Sequence, residues 1–152
     1  MATELDRAIE AIGARFMSDD GPLAIGQVEK FGQTMPFLKK ASPTLRDFFE
    51  THCTTHAEKE FLIDQDIRLT FGEVLAASRE LAGGLIEGYG LKKGDRVGIA
   101  ARNSANWLVA YMAIITAGGV ATLLNGWWQG GELADGIRLV DCRYILADEQ
   151  RA

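Results

Sequence analysis

Between residues 94 and 147, apolar segments that suit β-strands alternate with segments that suit helices. The predicted order is strand 96–100, helix 105–116, strand 120–124, helix 132–141 and strand 143–147. Strands joined through helices pair in parallel, and strands that are apolar almost throughout are buried on both faces. This alternation predicts an α/β fold, with a Rossmann-like parallel sheet and helices on both faces.

Residues 107–124 carry no charge and are just long enough to cross a bilayer as one helix. They are rich in Ala and Gly, and Gly118-Gly119 divides them into a piece of helix length and a β-branched piece. We therefore predict a buried helix followed by a strand, and no integral membrane span.

Residues 1–43 are predicted to form an N-terminal helix and an extended leader. Apolar residues recur at helical spacing near the start, at Leu5, Ile9, Ile12 and Phe16. Residues 24–40 have no regular pattern, so we expect an extended segment that lies on another part of the protein. The first residues are acidic and lack a long apolar run, so no export signal is predicted.

Residues 44–152 are predicted to begin with a short helix, a hairpin and a longer helix. The short helix starts near Thr44, and two strands within 61–69 form the hairpin. Thr70-Phe71-Gly72-Glu73 is a capping box that starts the longer helix, and Gly88 helps to end it.

Charge and cysteine content exclude several classes of protein. The chain has 16 Lys+Arg and 21 Asp+Glu, a net charge of −5, with basic and acidic residues interleaved. No nucleic-acid partner is expected, because phosphate binding needs a basic surface. Cys53 and Cys142 are far apart, so neither a disulfide framework nor a zinc knuckle is predicted. A cytoplasmic location fits this cysteine usage best.

Signatures for nucleotides, metals and nucleophiles are weak. No Gly-x-Gly-x-x-Gly fingerprint follows a strand, and the glycines of residues 83–88 lack the Lys-Ser/Thr of a phosphate loop. His52 and His56 are spaced to share a metal on a helix, but no third ligand is placed and a polar helix face is favoured. Ser104 is interpreted as a helix cap, because no histidine follows it to complete a triad. We assign no metal site.

The pair Trp127-Trp128 is the most unusual local feature, because it lies in a glycine-rich segment directly after a predicted strand. The pair could form a ligand-facing wall, an interface anchor or a plug packed on the next helix. Packing is favoured because tryptophan is costly to leave in water, and a role toward a substrate or an interface stays open.

Several segments of residues 44–152 occur in the order and spacing of a known family. They are 69–73, 91–99, 102–104 with Trp107, 110–120, and 124–128 followed by Glu132-Leu133. Together these segments resemble the opening of the adenylate-forming (AMP-binding) superfamily, and most of all its fatty acyl-CoA synthetase branch. The set is specific through its shared order, whereas each segment alone is weak.

The resemblance implies that residues 44–152 start the large N-terminal domain of such an enzyme and end before its phosphate loop. The full-length enzyme would use ATP, Mg and CoA to convert a fatty acid or other carboxylic acid into an acyl-adenylate and then a CoA thioester. The family's catalytic motifs are not among these residues, so we assign no catalytic residue. The chain alone is expected neither to bind these cofactors nor to be active.

The resemblance also suggests one cofactor contact. In some relatives an arginine soon after a strand that ends in Ala-Asp-Glu approaches a CoA phosphate, and Arg151 stands near that place. A solvated arginine is the favoured interpretation of Arg151. The family commonly has a proline before the Leu-Asn pair, where this chain has Leu123, which affects only the geometry of the strand end.

Two other classes of function are weighed against the ligase. A non-catalytic binding or interaction module would use the Trp127-Trp128 loop and the open sheet edge. A dehydrogenase-type domain is disfavoured by the missing glycine fingerprint. If the chain is part of the ligase, its open strand edges and exposed sheet surfaces make self-association an expected property of the chain alone, whereas a stand-alone module would stay monomeric.

Overall fold

The computed structural model of the protein describes residues 2–152 and divides them into two compact units. The first unit ends at Pro43 and contains α1 (Glu4–Met17), β1 (Ile25–Lys30) and β2 (Gln33–Leu38). The second unit, Thr44–Ala152, contains α2 (Leu45–Thr55), β3 (Glu60–Asp64), β4 (Ile67–Thr70), α3 (Phe71–Glu87), β5 (Arg96–Ala100), α4 (Ala105–Thr116), β6 (Val120–Leu123), α5 (Gly130–Leu139) and β7 (Tyr144–Ala147).

Helix α1 confirms the helix predicted from apolar spacing at the start of the chain. A capping box starts it: the Thr3 hydroxyl accepts a hydrogen bond from the Asp6 N–H at 3.2 Å, and the Asp6 carboxylate accepts one from the Thr3 N–H at 2.7 Å. Two of the donors that a helix leaves without partners at its N-terminus are thereby satisfied.

The segment after α1 is more regular than predicted. Strands β1 and β2 form an antiparallel hairpin, from Ile25 opposite Leu38 to Lys30 opposite Gln33. Its two-residue turn, Phe31-Gly32, has φ values of 53° and 73°, as a type I′ turn requires. The segment is extended as predicted, but its two halves pair with each other as strands, which the sequence analysis did not predict.

The second unit begins with elements that the sequence predicts. Helix α2 is capped by Thr44, whose hydroxyl accepts from the Asp47 N–H at 3.1 Å. Strands β3 and β4 form the predicted antiparallel hairpin. The capping box of α3 is confirmed, because the Thr70 N–H donates to the Glu73 carboxylate at 2.7 Å and the Glu73 N–H donates to the Thr70 hydroxyl at 3.2 Å.

A parallel sheet of order β6-β5-β7 forms the rest of the second unit. Gly98 of β5 lies opposite Thr122 of β6 and Ile145 of β7, and both pairings are parallel as predicted. Helix α5 starts two residues before its predicted position, because the Glu132 carboxylate accepts a hydrogen bond from the Gln129 N–H at 3.0 Å and stabilises an earlier first turn.

Helices α3 and α4 cover one face of the sheet. Val97 and Ile99 of β5 are buried on this face against Leu85 of α3 and against Ala110 and Ile114 of α4. Alternate strand residues point to one face, so Val97 and Ile99 act together in this core. Burial of these apolar side chains is the main favourable term that holds the two helices to the sheet.

Helix α4 is enclosed on a second side as well. Its Met112 is fully buried in a cluster with Val74 and Leu75 of α3 and Cys53 of α2. This enclosure confirms the prediction that the uncharged stretch is a buried helix followed by a strand. Within residues 2–152, no helix is both long and apolar enough to cross a membrane.

The connections of the sheet place α5 on the face opposite α4. The chain passes from β5 through α4 to β6 on one side, then through α5 to β7 on the other side, and right-handed connections put these helices on opposite faces. On the α5 face, a Cβ at Gly98 would lie 2.7 Å from Ile145 Cδ1 and 3.3 Å from Cys142 Sγ, so glycine leaves room for both side chains. The predicted α/β fold is confirmed.

Candidate functional site

Three loops lie at the carboxyl edge of the parallel sheet: residues 101–104 after β5, 124–129 after β6 and 148–151 after β7. The first two border an open cleft of about 540 Å³, whose lining includes Ala101, Arg102, Asn103, Leu124, Asn125 and Trp127. The adjacent strands β5 and β6 continue into helices on opposite faces, and open parallel sheets bind ligands at such a point. The cleft is therefore the candidate functional site.

A stacked cation and aromatic ring form one wall of the cleft. The guanidinium carbon of Arg102 lies 3.6 Å from the centroid of the Trp127 ring, which is cation–π geometry. The loop is held locally, because the Trp127 N–H donates to the Asn125 side-chain oxygen at 3.0 Å. Trp127 remains 71% exposed, so the prediction that both tryptophans are packed was wrong for this residue.

Trp128 packs on α5, as predicted for the pair. Its ring lies so close to Gly136 that a Cβ at that position would be 2.5 Å from Trp128 Cζ3. The residue is 37% exposed, about half as much as its neighbour. The two tryptophans therefore have different roles: Trp128 anchors the loop to α5, and Trp127 faces the cleft and solvent.

Arg151 joins two of the three loops. Its Nε donates to the Gly126 carbonyl oxygen at 2.5 Å, and its Nη1 donates to both carboxylate oxygens of Asp148 at 2.8 and 2.7 Å. Only 11% of its side chain is exposed. The interpretation of Arg151 as a solvated arginine was therefore wrong. Its Nε and Nη1 donors already have protein partners in this structure.

Asp148 joins the loop after β7 to the loop after β5. Its carboxylate accepts a hydrogen bond from the Arg102 N–H at 3.0 Å in addition to those from Arg151. The hydrogen bond from Arg151, followed by the one from the Arg102 N–H, holds the pKa of Asp148 below its ordinary value.

A glycine permits the close approach of the first two loops. A Cβ at Gly126 would lie 2.8 Å from the carbonyl oxygen of Ala101 and 3.1 Å from its carbonyl carbon. Both atoms belong to the backbone directly after β5, so neither can move aside as a flexible side chain would. Any residue larger than glycine at 126 therefore has to displace a loop.

The two histidines lie on α2 and at its C-cap, away from the cleft. His52 is on α2 with its ring 4.4 Å from that of Phe48, and His56 is the C-cap of that helix. Burial raises the pKa of the neighbouring Cys53 thiol. The predicted cap is confirmed at Ser104, whose hydroxyl accepts from the Trp107 N–H at 3.1 Å.

Two residues that shape this site, Arg102 and Asp148, have no role in the functional prediction from the sequence. Each follows a strand of the parallel sheet within two residues, at the edge where an open parallel sheet binds ligands. A search for charged residues at these positions would have found both. The contact between Arg102 and Trp127 could not be predicted from the sequence pattern, because it joins two different loops.

Comparison with known proteins agrees with this architecture. Residues 49–152 match the family model of the AMP-binding enzyme. Medium-chain acyl-CoA ligase ACSF2, mitochondrial, of Mus musculus is 27% identical over 147 residues, which cover 95% of this chain and 23% of that enzyme. The chain thus spans less than a quarter of this relative's length.

Two solved structures are similar in fold. O-succinylbenzoate coenzyme A synthetase (MenE) from Bacillus subtilis, in complex with AMP, has a TM-score of 0.64 and 27% identity, covering 68% of this chain and 27% of that one. The Klebsiella oxytoca NpsA N-terminal subdomain, in complex with 3-hydroxybenzoyl-AMSN, has a TM-score of 0.65 and 20% identity, covering 70% of this chain and 27% of that one. The family model spans most of the chain and all three loops at the sheet edge, and the chain therefore belongs to the AMP-binding enzyme family.

Proposed function

We propose that this chain is the N-terminal part of an ATP-dependent acyl-CoA ligase that acts on fatty acids. The full-length enzyme would form an acyl-adenylate from the carboxylate and Mg-ATP with release of pyrophosphate, then transfer the acyl group to the CoA thiol with release of AMP. The observation that carries the proposal is that three strand-end loops, all inside the family match, meet at one edge of the sheet beside an open cleft.

The cleft suggests which residue would meet the anionic part of a cosubstrate. The resemblance suggested a contact with a CoA phosphate for Arg151, but its Nε and Nη1 already donate to Gly126 and Asp148. The Arg102 guanidinium lines the cleft and forms no ion pair with a carboxylate of residues 2–152. We therefore assign the phosphate-facing role to Arg102, with Trp127 as a wall beneath it.

A hybrid enzyme tests the proposal. Residues 49–152 would replace the aligned segment of mouse ACSF2, and acyl-CoA formation would be measured with ATP, CoA and a medium-chain fatty acid. We expect ATP-dependent product formation, and Arg102→Gln should raise the KM for CoA while pyrophosphate release from the first step stays unchanged. A folded hybrid that releases no pyrophosphate would contradict the proposal.

The 152-residue chain by itself is expected to release no pyrophosphate from ATP with any fatty acid. Adenylate formation depends on groups that hold the ATP phosphates and Mg, and the sequence contains no phosphate-loop motif. Pyrophosphate release is measured against a no-protein control. Turnover that survives further purification would overturn this prediction.

The exposure of Trp127 favours a second candidate, a non-catalytic module that binds a protein or an acyl ligand through this loop. Such a module would leave the hybrid inactive. Its own chain would bind a fatty acid with a change in tryptophan emission, and Trp127→Ala would abolish that change. The ligase proposal expects no such binding by the chain alone.

The two free cysteines favour a reducing compartment, and we propose the cytoplasm. The mitochondrial location in the name of the mouse relative belongs to that protein. Fractionation of cells that express the natural gene, followed by detection of the chain, decides between the two compartments.

A further inference from the structure

Contacts between the three loops at the sheet edge form a closed ring. The Arg102 N–H donates to Asp148, Asp148 accepts from Arg151, and Arg151 donates to the Gly126 carbonyl oxygen. Gly126 adjoins Trp127, whose ring lies under the Arg102 guanidinium at 3.6 Å. These contacts therefore connect Trp127 to Asp148 and Arg151, which do not touch it.

The pair Asp148 and Arg151 differs from an ordinary surface ion pair. Its side chains are 33% and 11% exposed, whereas the pair Asp135 and Arg138, with the same spacing, is 79% and 72% exposed. Charge-assisted hydrogen bonds that are shielded from water are much stronger than exposed ones. The buried pair also contacts the backbone of two other loops, which the exposed pair does not.

We propose that Asp148 and Arg151 are positioning residues, which hold the loop after β6 so that Trp127 stays stacked under Arg102 at the mouth of the cleft. We call this pair the loop latch. Its use in binding a cosubstrate rests on the proposed function, whereas its effect on the loop does not.

The indole N–H signals of the 152-residue chain test the loop latch by nuclear magnetic resonance. The chain has three tryptophans, and Trp127→Phe assigns the Trp127 signal by its loss. Arg151→Lys keeps the positive charge beside Asp148. An ammonium group cannot donate to Asp148 and to the Gly126 carbonyl oxygen with the geometry of a guanidinium. We expect Arg151→Lys and Arg102→Gln to displace the Trp127 signal in the same direction.

The methyl signals of Val97 and Ile114 report on the folded core, because both side chains are fully buried between β5 and α4 and neither lines the cleft. They should not move in Arg151→Lys. Arg138→Lys, in the exposed pair of the same spacing, is the matched control and should leave Trp127 unmoved. A Trp127 signal that stays in place in Arg151→Lys while the Val97 and Ile114 signals are also unchanged overturns the proposal.

Hydrogen exchange gives a second readout that does not depend on the indole signals. Loss of the latch should speed exchange of the backbone N–H groups of residues 127–128 by about tenfold or more, the effect of losing one charge-assisted hydrogen bond. Asp148→Asn keeps an acceptor for the Arg102 N–H and should give a smaller increase than Asp148→Ala. Equal exchange in wild type and both variants would also overturn the proposal. These measurements use no turnover, so an inactive hybrid enzyme leaves their outcome unaffected.

Discussion

At the scale of single residues, Gly126 is the position in the cleft where a larger side chain would meet backbone atoms most closely. Gly126→Ala would place a methyl group 2.8 Å from the Ala101 carbonyl oxygen. We expect a loss of about 1–3 kcal/mol in the free energy of unfolding, the usual cost of forcing an extra carbon into packed structure. Urea denaturation followed by circular dichroism measures it.

Gly131→Ala is the matched control for Gly126→Ala. Position 131 lies in the first turn of α5, and a Cβ there meets no atom within 4 Å. Alanine should be neutral or stabilise by up to about 1 kcal/mol, because it favours helix over the unfolded chain. Equal losses in the two variants would show that close approach of the loops is not the cause.

The acid stability of the protein should depend on Asp148. Its pKa is below the ordinary value of 3.8 because of Arg151 and the Arg102 N–H. A carboxyl whose pKa is lowered by folding stabilises the protein above its unfolded-state pKa, and that stabilisation is lost as the pH falls through the folded-state pKa. The denaturation midpoints of wild type and Asp148→Asn should therefore differ at neutral pH and converge as the pH drops below 3.8.

Asp135→Asn provides the comparison for this pH series, since its carboxylate bonds only to an exposed arginine on the same helix. Its midpoint should follow wild type closely across the series. A constant difference between wild type and Asp148→Asn down to the lowest pH would refute a role for the ionised carboxylate.

Residue-level predictions from sequence succeed where the interaction is local. The caps at Thr70 and Ser104 are confirmed because a cap involves residues within three positions of each other. The burial of Arg151 and the stacking on Trp127 could not be predicted, because each joins loops that meet only after the sheet has formed.

At the scale of elements, α5 and the loop before it are fitted to each other. Gly136 is unfavourable within a helix by about 1 kcal/mol relative to alanine, yet it leaves space for the Trp128 ring. We expect Gly136→Ala to destabilise the wild-type chain and to stabilise the Trp128→Ala variant. A double-mutant cycle of unfolding free energies measures this reversal.

The sign of the change in unfolding free energy for Gly136→Ala shows whether the packing of Trp128 against Gly136 stabilises the protein. If alanine stabilises both backgrounds equally, the ring moves aside at no cost and the contact does not restrain the loop. Gly83→Ala, in α3 where a Cβ meets no atom within 4 Å, shows the effect of helix propensity alone.

Elements were predictable wherever apolar periodicity was strong. Strand β5 begins and ends at the predicted residues, and α4 is buried as predicted. Both segments are mostly apolar, and polar or glycine residues lie within two positions of their ends. The hairpin of β1 and β2 was missed for two physical reasons. Its turn uses Phe31-Gly32 instead of the usual Asn-Gly, and Pro36 interrupts β2 opposite Gln27.

At the scale of the whole molecule, both outer strands of the parallel sheet pair on one side only. On β6, Leu123 is 54% exposed and Val120 is 47% exposed. Apolar side chains beside an open strand edge promote pairing with another chain. We expect the 152-residue chain to self-associate in sedimentation experiments as its concentration rises, and Leu123→Lys to weaken this association.

Leu139→Lys is the control for edge specificity, because Leu139 is 86% exposed but lies at the end of α5. The same charge at this position should weaken association less than Leu123→Lys does. A chain that stays monomeric at all concentrations, or equal effects of the two substitutions, would refute association through the strand edge.

The fold class was the most predictable property of the molecule, because it follows from the order of many segments and tolerates error in each of them. Alternating apolar strands and helices imply the parallel sheet, and the ordered segments also indicated the family that the comparison supports.

The ring of contacts between the three loops implies an order in which parts of the molecule fold. Asp148 follows Arg102 by 46 residues, and contacts so distant along the chain form late because their closure costs entropy. The packing of α3 on α4 can precede them. A newly synthesised chain should therefore form its folded core before the cleft. Because Asp148 and Arg151 follow β7, the cleft can form only after β7 has paired with β5.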